Sequence, residues 1–102
     1  MRKNGLRPVP PGEILKEEFL KPLGLTANAL AKAIGVPANR ITAILKGERG
    51  ITGATALRLG TFFKTSAEFW MNLQMTYDLR KAEKALSANV KKSIEERRAA
   101  FA

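Results

Sequence analysis

Within the stretch ANRITAILK, residues 38 to 46, Asn39, Ala43 and Lys46 recur at helical spacing, with Arg40 and Thr42 on either side of them. The set combines an amide that donates and accepts at once, a hydroxyl, two cations and alanines small enough to allow close approach. An amide so placed can pair bidentately with adenine, and Arg or Lys can reach guanine or a phosphate. Small side chains let a helix lie against base edges. The chemistry within reach of these residues is recognition in the major groove of duplex DNA.

Bond-making chemistry lacks its usual groups. Cysteine and histidine are both absent, which removes thiol nucleophiles, the usual zinc ligands and the commonest general base. The nine carboxylates are scattered, and Glu17 with Glu18, like Glu95 with Glu96, are neighbours that point apart on a helix. Ser, Thr, Lys and Tyr occur with no base partner that the sequence identifies. The expectation is a protein that is no enzyme and uses no cofactor and no metal.

Charge supports the first reading. Eighteen Lys and Arg stand against nine Asp and Glu, a formal charge of +9, and such an excess favours a polyanionic partner. Over half of it lies in residues 26 to 64, where Lys32, Arg40, Lys46, Arg49, Arg58 and Lys64 face one acid, Glu48. No apolar run approaches the roughly 20 residues that span a bilayer. The opening MRKNGLRPVPP has no apolar segment of a secretory signal. A cytoplasmic protein with no membrane role is expected.

The reading residues need a frame, and the chain is long enough for one core. Residues 1 to 10, with Gly5, Pro8, Pro10, Arg2, Lys3 and Arg7, are expected to form a flexible basic arm. In EILKEEFLKPLG, Ile14, Leu15, Phe19 and Leu20 fall at helical spacing before Pro22 and Gly24 close the run. Thr26 is placed to cap a second helix carrying Ala27, Leu30, Ala31 and Ile34 on one side. Gly35 stops it, Val36 plugs the turn, and Pro37 suits the start of a third helix that runs to Lys46. Projected at about 100° per residue, Ile41 lies at the centre of that helix's buried side, flanked by Pro37, Ile44 and Leu45. Asn39, Ala43 and Lys46 lie opposite.

A basic loop, GERG, leads to a fourth helix capped by Thr52 with Leu59 and Phe63 one turn apart, and Thr65 or Ser66 caps a fifth. In the fifth, Phe69 and Leu73 are assigned to the core, whereas Trp70 and Tyr77, apolar bodies with polar tips, are assigned to a contact with a second copy. Five short helices and no strand make an all-α fold, with a DNA-binding domain over residues 11 to 79. Residues 80 to 102 are read as a charged amphipathic helical tail. From residue 79 onward a thin apolar line of Leu79, Leu86, Val90, Ile94 and Phe101, with a weak break at Ser87 and Asn89, cannot bury itself alone. The competing reading is a helical bundle whose polar faces are merely solvated. The glycine turn, the concentrated charge and the basic loop weigh against it.

LAKAIGVPANRITAILKGERGIT followed by ALRLGTFFKTSAEFWMNLQMTYDL, with PGEILKEEFLKPLGLT upstream, resembles the HigA-type antitoxin branch of the XRE/Cro helix-turn-helix family. The resemblance implies a five-helix, lambda-repressor-like DNA-binding domain, usually dimeric on a palindromic operator. It implies a transcriptional repressor of its own operon that is also the antitoxin of a type II toxin-antitoxin module. The toxin neutralised in such modules is typically a ribosome-dependent messenger-RNA endonuclease. Carried over by position, Ala38, Asn39, Thr42 and Ala43 read bases and Arg40 lies near the backbone. Where this chain has Ala27, many relatives have a phosphate-contacting Gln, which leaves Thr26 and Asn28 to anchor that end. Lys46 and Arg49 add backbone contacts from the end of the third helix and the loop after it. A stand-alone regulator of the same family, without a toxin, is the alternative.

Overall fold

A computed structural model describes residues 7–101, so most of the arm expected over residues 1 to 10 lies outside the described residues. Six helices follow one another with no strand among the described residues. The first, α1, is continuous over residues 11–23, through Pro11–Ile14, a π-helical stretch Leu15–Leu20, and Lys21–Leu23. Pro22 has no N–H and its ring crowds the carbonyl one turn back, so a widened turn just before it relieves the clash. Gly24, at φ 62°, ends the helix. At the other end Arg7 forms a two-pronged ion pair with Glu13, at 3.0 and 2.9 Å. That hydrogen bond and the neighbouring charge hold the guanidinium pKa above its usual value.

The next helices are bounded by local signals. Helix α2, Ala27–Ile34, is capped by Thr26, whose hydroxyl oxygen accepts the Ala29 N–H at 3.1 Å, and it ends at Gly35 with φ 75°. Helix α3, Ala38–Leu45, begins one residue later than the sequence suggests, because Pro37 sits before it in an extended conformation. Gly47, at φ 76°, closes the turn after Lys46. Helix α4, Gly53–Phe63, is capped by Thr52 and ends on Lys64 in the left-handed region, φ 58°.

Helix α5, Ala67–Ala85, starts from a Ser66 cap and is longer than expected. Residues 78 to 85 offer no stop signal, so the helix passes straight through the domain boundary expected at residue 79. A Ser87 cap then starts α6, Ala88–Ala99, which makes the tail a sixth helix with only Ser93 partly covered.

The core gathers Leu15 and Leu20 of α1, Leu30 and Ile34 of α2, Ile41 and Ile44 of α3, Ile51, Leu59 of α4, and Trp70 of α5. Two expectations for α5 are corrected here. Trp70 is wholly enclosed, and its indole Nε1–H donates to Thr65 Oγ1 at 2.8 Å, so its polar tip is satisfied inside the fold and has nothing to offer a second copy. Phe69, assigned to the core, is 37% exposed and rests edge-on against Trp70, with centroids 5.0 Å apart. Trp70 shares its face with Leu73, Gln74 and Tyr77, one and two turns on, and that face is the one α5 turns toward the domain. Tyr77 is half-buried on the wall of a groove of about 570 Å³ that Pro8, Val9 and Ile14 also line.

Candidate nucleic-acid interface

Helices α2 and α3 are joined through the three residues Gly35 to Pro37, and one contact within the turn and two from neighbouring helices hold them. Val36 folds back so that its N–H reaches the Ala31 carbonyl at 3.0 Å. From α4, Arg58 Nη1 donates to the Ile34 carbonyl at 2.6 Å, satisfying one of the orphan acceptors at the end of α2. From α1, buried Gly12 lies directly on the α3 backbone. A Cβ built there would overlap the Ile44 carbonyl oxygen and stand 2.7 Å from the Ile44 carbonyl carbon. Neither Arg58 nor Gly12 was singled out as functional from sequence. Arg58, counted among the basic residues of this region, is committed to a structural acceptor.

The exposed side of α3 is then fixed by which side is buried. Ile41 and Ile44 are enclosed, and Ala38, Asn39 and Lys46 stand in the open. Thr42 and Ala43 are half-covered. The Thr42 hydroxyl donates back to its own helix, to Asn39 O at 3.2 Å and Ala38 O at 3.4 Å. What Thr42 presents outward is therefore a methyl and acceptor lone pairs, suited to a thymine methyl or a base amino group. Arg40 is half-buried, and its Nε is enclosed without a hydrogen-bond partner.

At the start of α2, Thr26 and Asn28 are exposed beside backbone N–H groups that the helix leaves unpaired, an arrangement that attracts anions. Ala27, between them, packs against the core. Past α3, Arg49 is exposed in the loop, which ends at buried Ile51. The Ile51 N–H donates to Gln74 Oε1 of α5 at 2.7 Å. Gln74 is a third residue, after Arg58 and Gly12, that sequence reasoning passed over. Among the described residues no group of three or more His, Cys, Asp or Glu could hold a metal ion, and no helix is long and apolar enough to cross a membrane.

Residues 15–70 match the helix-turn-helix family. Antitoxin HigA-1 of Vibrio cholerae is 43% identical over 79 residues, covering 78% of this chain and 74% of that protein. The chain is a HigA-type member of the helix-turn-helix family. Virulence-associated protein I of Dichelobacter nodosus is 53% identical over 81 residues, 79% of this chain and 75% of that one. Among solved structures, the Pseudomonas aeruginosa antitoxin HigA with the higBA promoter superposes with a TM-score of 0.79. It is 46% identical, and the match covers 88% of this chain and 94% of that one. In this chain the hydrogen bond from the Ile51 N–H to Gln74 ties GERGIT to the MNLQ of α5.

Proposed function

We propose that this protein is a sequence-specific DNA-binding transcriptional repressor and the antitoxin of a type II toxin-antitoxin module. It acts in the cytoplasm, autoregulates its operon and carries out no catalysis. The observation that carries this reading is the presentation of α3, with Asn39 exposed between small residues on a helix backed by α1 and α2, the end of α2 being held in turn by Arg58 of α4. The likeness to a HigA solved with its promoter supports it.

In this reading Asn39 pairs with a base edge while Ala38 and Ala43 permit close approach and Thr42 contributes its methyl. Arg40, Lys46, Arg49, Thr26 and Asn28 meet phosphates.

The chain is proposed to act as a homodimer on a palindromic operator, since readers of this type bind half-sites one helical turn apart. With Trp70 enclosed, the contact falls to the outward stripe of α5, where Met71, Met75 and Leu79 recur one turn apart and are 38%, 53% and 50% exposed. A mobility-shift titration on the DNA upstream of its own gene, with a scrambled duplex beside it, tests the repressor role. Preferential binding of the upstream DNA is expected, and equal binding of both duplexes overturns it. Co-expression with the adjacent gene product tests the antitoxin role. A neighbour that is neither toxic alone nor retained by this protein leaves the stand-alone regulator as the correct reading.

A further inference from the structure

The loop from Gly47 to Gly50 is exposed throughout, and its anchored end is Ile51, only 3% exposed. A side-chain hydrogen bond reaches this anchor from α5, where Gln74 Oε1 accepts the Ile51 N–H at 2.7 Å. The other half of the same amide is also committed, with Nε2 donating to Asp78 Oδ1 at 3.0 Å, one turn along α5. Asp78 therefore orients the amide. Reversed, it would set an oxygen against a carboxylate and an amino group against the Ile51 N–H. The loop also lies directly on the amide, since a Cβ added to Gly50 would stand 3.1 Å from Nε2 and 3.2 Å from Oε1. Glu48, Arg49, Gly50, Gln74 and Asp78 share one small cleft of about 170 Å³.

A single side chain of α5 thus sets the course of the backbone two residues from Arg49. We infer that Gln74 is a positioning residue for the contact between Arg49 and a DNA phosphate, tying the DNA-facing loop to α5. The inference rests on the proposed backbone role of Arg49. Gln74 sits behind the loop with both halves of its amide committed to Ile51 and Asp78, so it governs anchoring and leaves the choice of bases alone. A side chain that only stabilised the fold would instead lower the melting temperature and leave the number of phosphate contacts unchanged.

The test uses the full chain, with binding titrations on operator and scrambled duplex at several salt concentrations for Gln74→Met, Arg49→Ala and the double variant. Gly50→Ala perturbs the same contact from the exposed loop side, so the question can be answered even if Gln74→Met folds poorly. One lost phosphate contact flattens the slope of log K against log salt by about 0.9, a loss of roughly fivefold at 0.15 M salt. Gln74→Met and Gly50→Ala should each approach that loss on both duplexes alike, and Gln74→Met should add nothing in the Arg49→Ala background. If Arg49→Ala flattens the slope while Gln74→Met and Gly50→Ala keep it, or if the losses multiply in the double variant, the positioning role is wrong. If Arg49→Ala itself keeps the native slope, the backbone reading of Arg49 fails and the inference falls with it.

Discussion

Replacing Gly12 by Ala should damage this protein far more than its place in the first turn of a helix suggests. The added Cβ would overlap the Ile44 carbonyl oxygen and lie 2.7 Å from the Ile44 carbonyl carbon and 3.0 Å from Leu45 Cα. All three are backbone atoms of α3, so no rotamer change relieves the clash and α1 must move off α3. Overpacking of this kind costs about 1–3 kcal/mol, and with only backbone in the way the upper end applies. The better helix propensity of Ala returns up to about 1 kcal/mol, leaving a net loss of about 2 kcal/mol. For a domain of this size that lowers the melting temperature by roughly 8–16 °C. Gly53→Ala is the internal control, because nothing lies within 4 Å of a Cβ at that first residue of α4, and it should be neutral or slightly stabilising. Thermal and urea unfolding followed by circular dichroism measures both. A Gly12→Ala protein as stable as Gly53→Ala would refute the close packing of α1 on α3.

Lys64→Gly should raise stability by about 1 kcal/mol in urea titrations, because it relieves a left-handed conformation at φ 58° that costs an L residue that much; DNA affinity should not change. Arg58→Met removes the cap on Ile34 and should cost about 1 kcal/mol of stability by the same measurement. Trp70→Phe should lose about 1–2 kcal/mol with its hydrogen bond to Thr65 while leaving the association state intact. Met75→Asp should do the reverse, and sedimentation of the two variants shows whether the dimer contact lies on the outward stripe of α5.

The parts of the fold that were legible are those written in adjacent residues. Thr26, Thr52 and Ser66 cap helices because each offers an oxygen to an N–H three residues on. Gly35 could be read as a stop because only glycine enters the left-handed region cheaply. Ile41 and Ile44 marked the buried side of α3, and with it which polar residues stand outside. Phe69 and Trp70 were exchanged because both fall inside one wide apolar stripe, and periodicity does not locate its centre when two aromatic residues are consecutive. A boundary is expected at residue 79 because the apolar pattern thins there, yet the charged residues after Leu79 are good helix formers and carry α5 on without a break. Arg58 and Gln74 act across 24 and 23 residues of chain, and no local pattern announces a hydrogen bond of that span. Gly12 left only a faint signal, a glycine where a helix would prefer another residue.

The central claim is that α3 reads bases, and Asn39→Ala tests it most directly, by equilibrium titration on the operator and on a scrambled duplex at one fixed salt concentration. Asn39 is exposed on α3 and is proposed to make a bidentate pair with adenine. Its loss should therefore weaken operator binding by about 1–3 kcal/mol and leave scrambled DNA nearly unaffected, so that the ratio of the two affinities falls by roughly 5- to 150-fold. An equal loss on both duplexes, or no loss on either, would contradict the account.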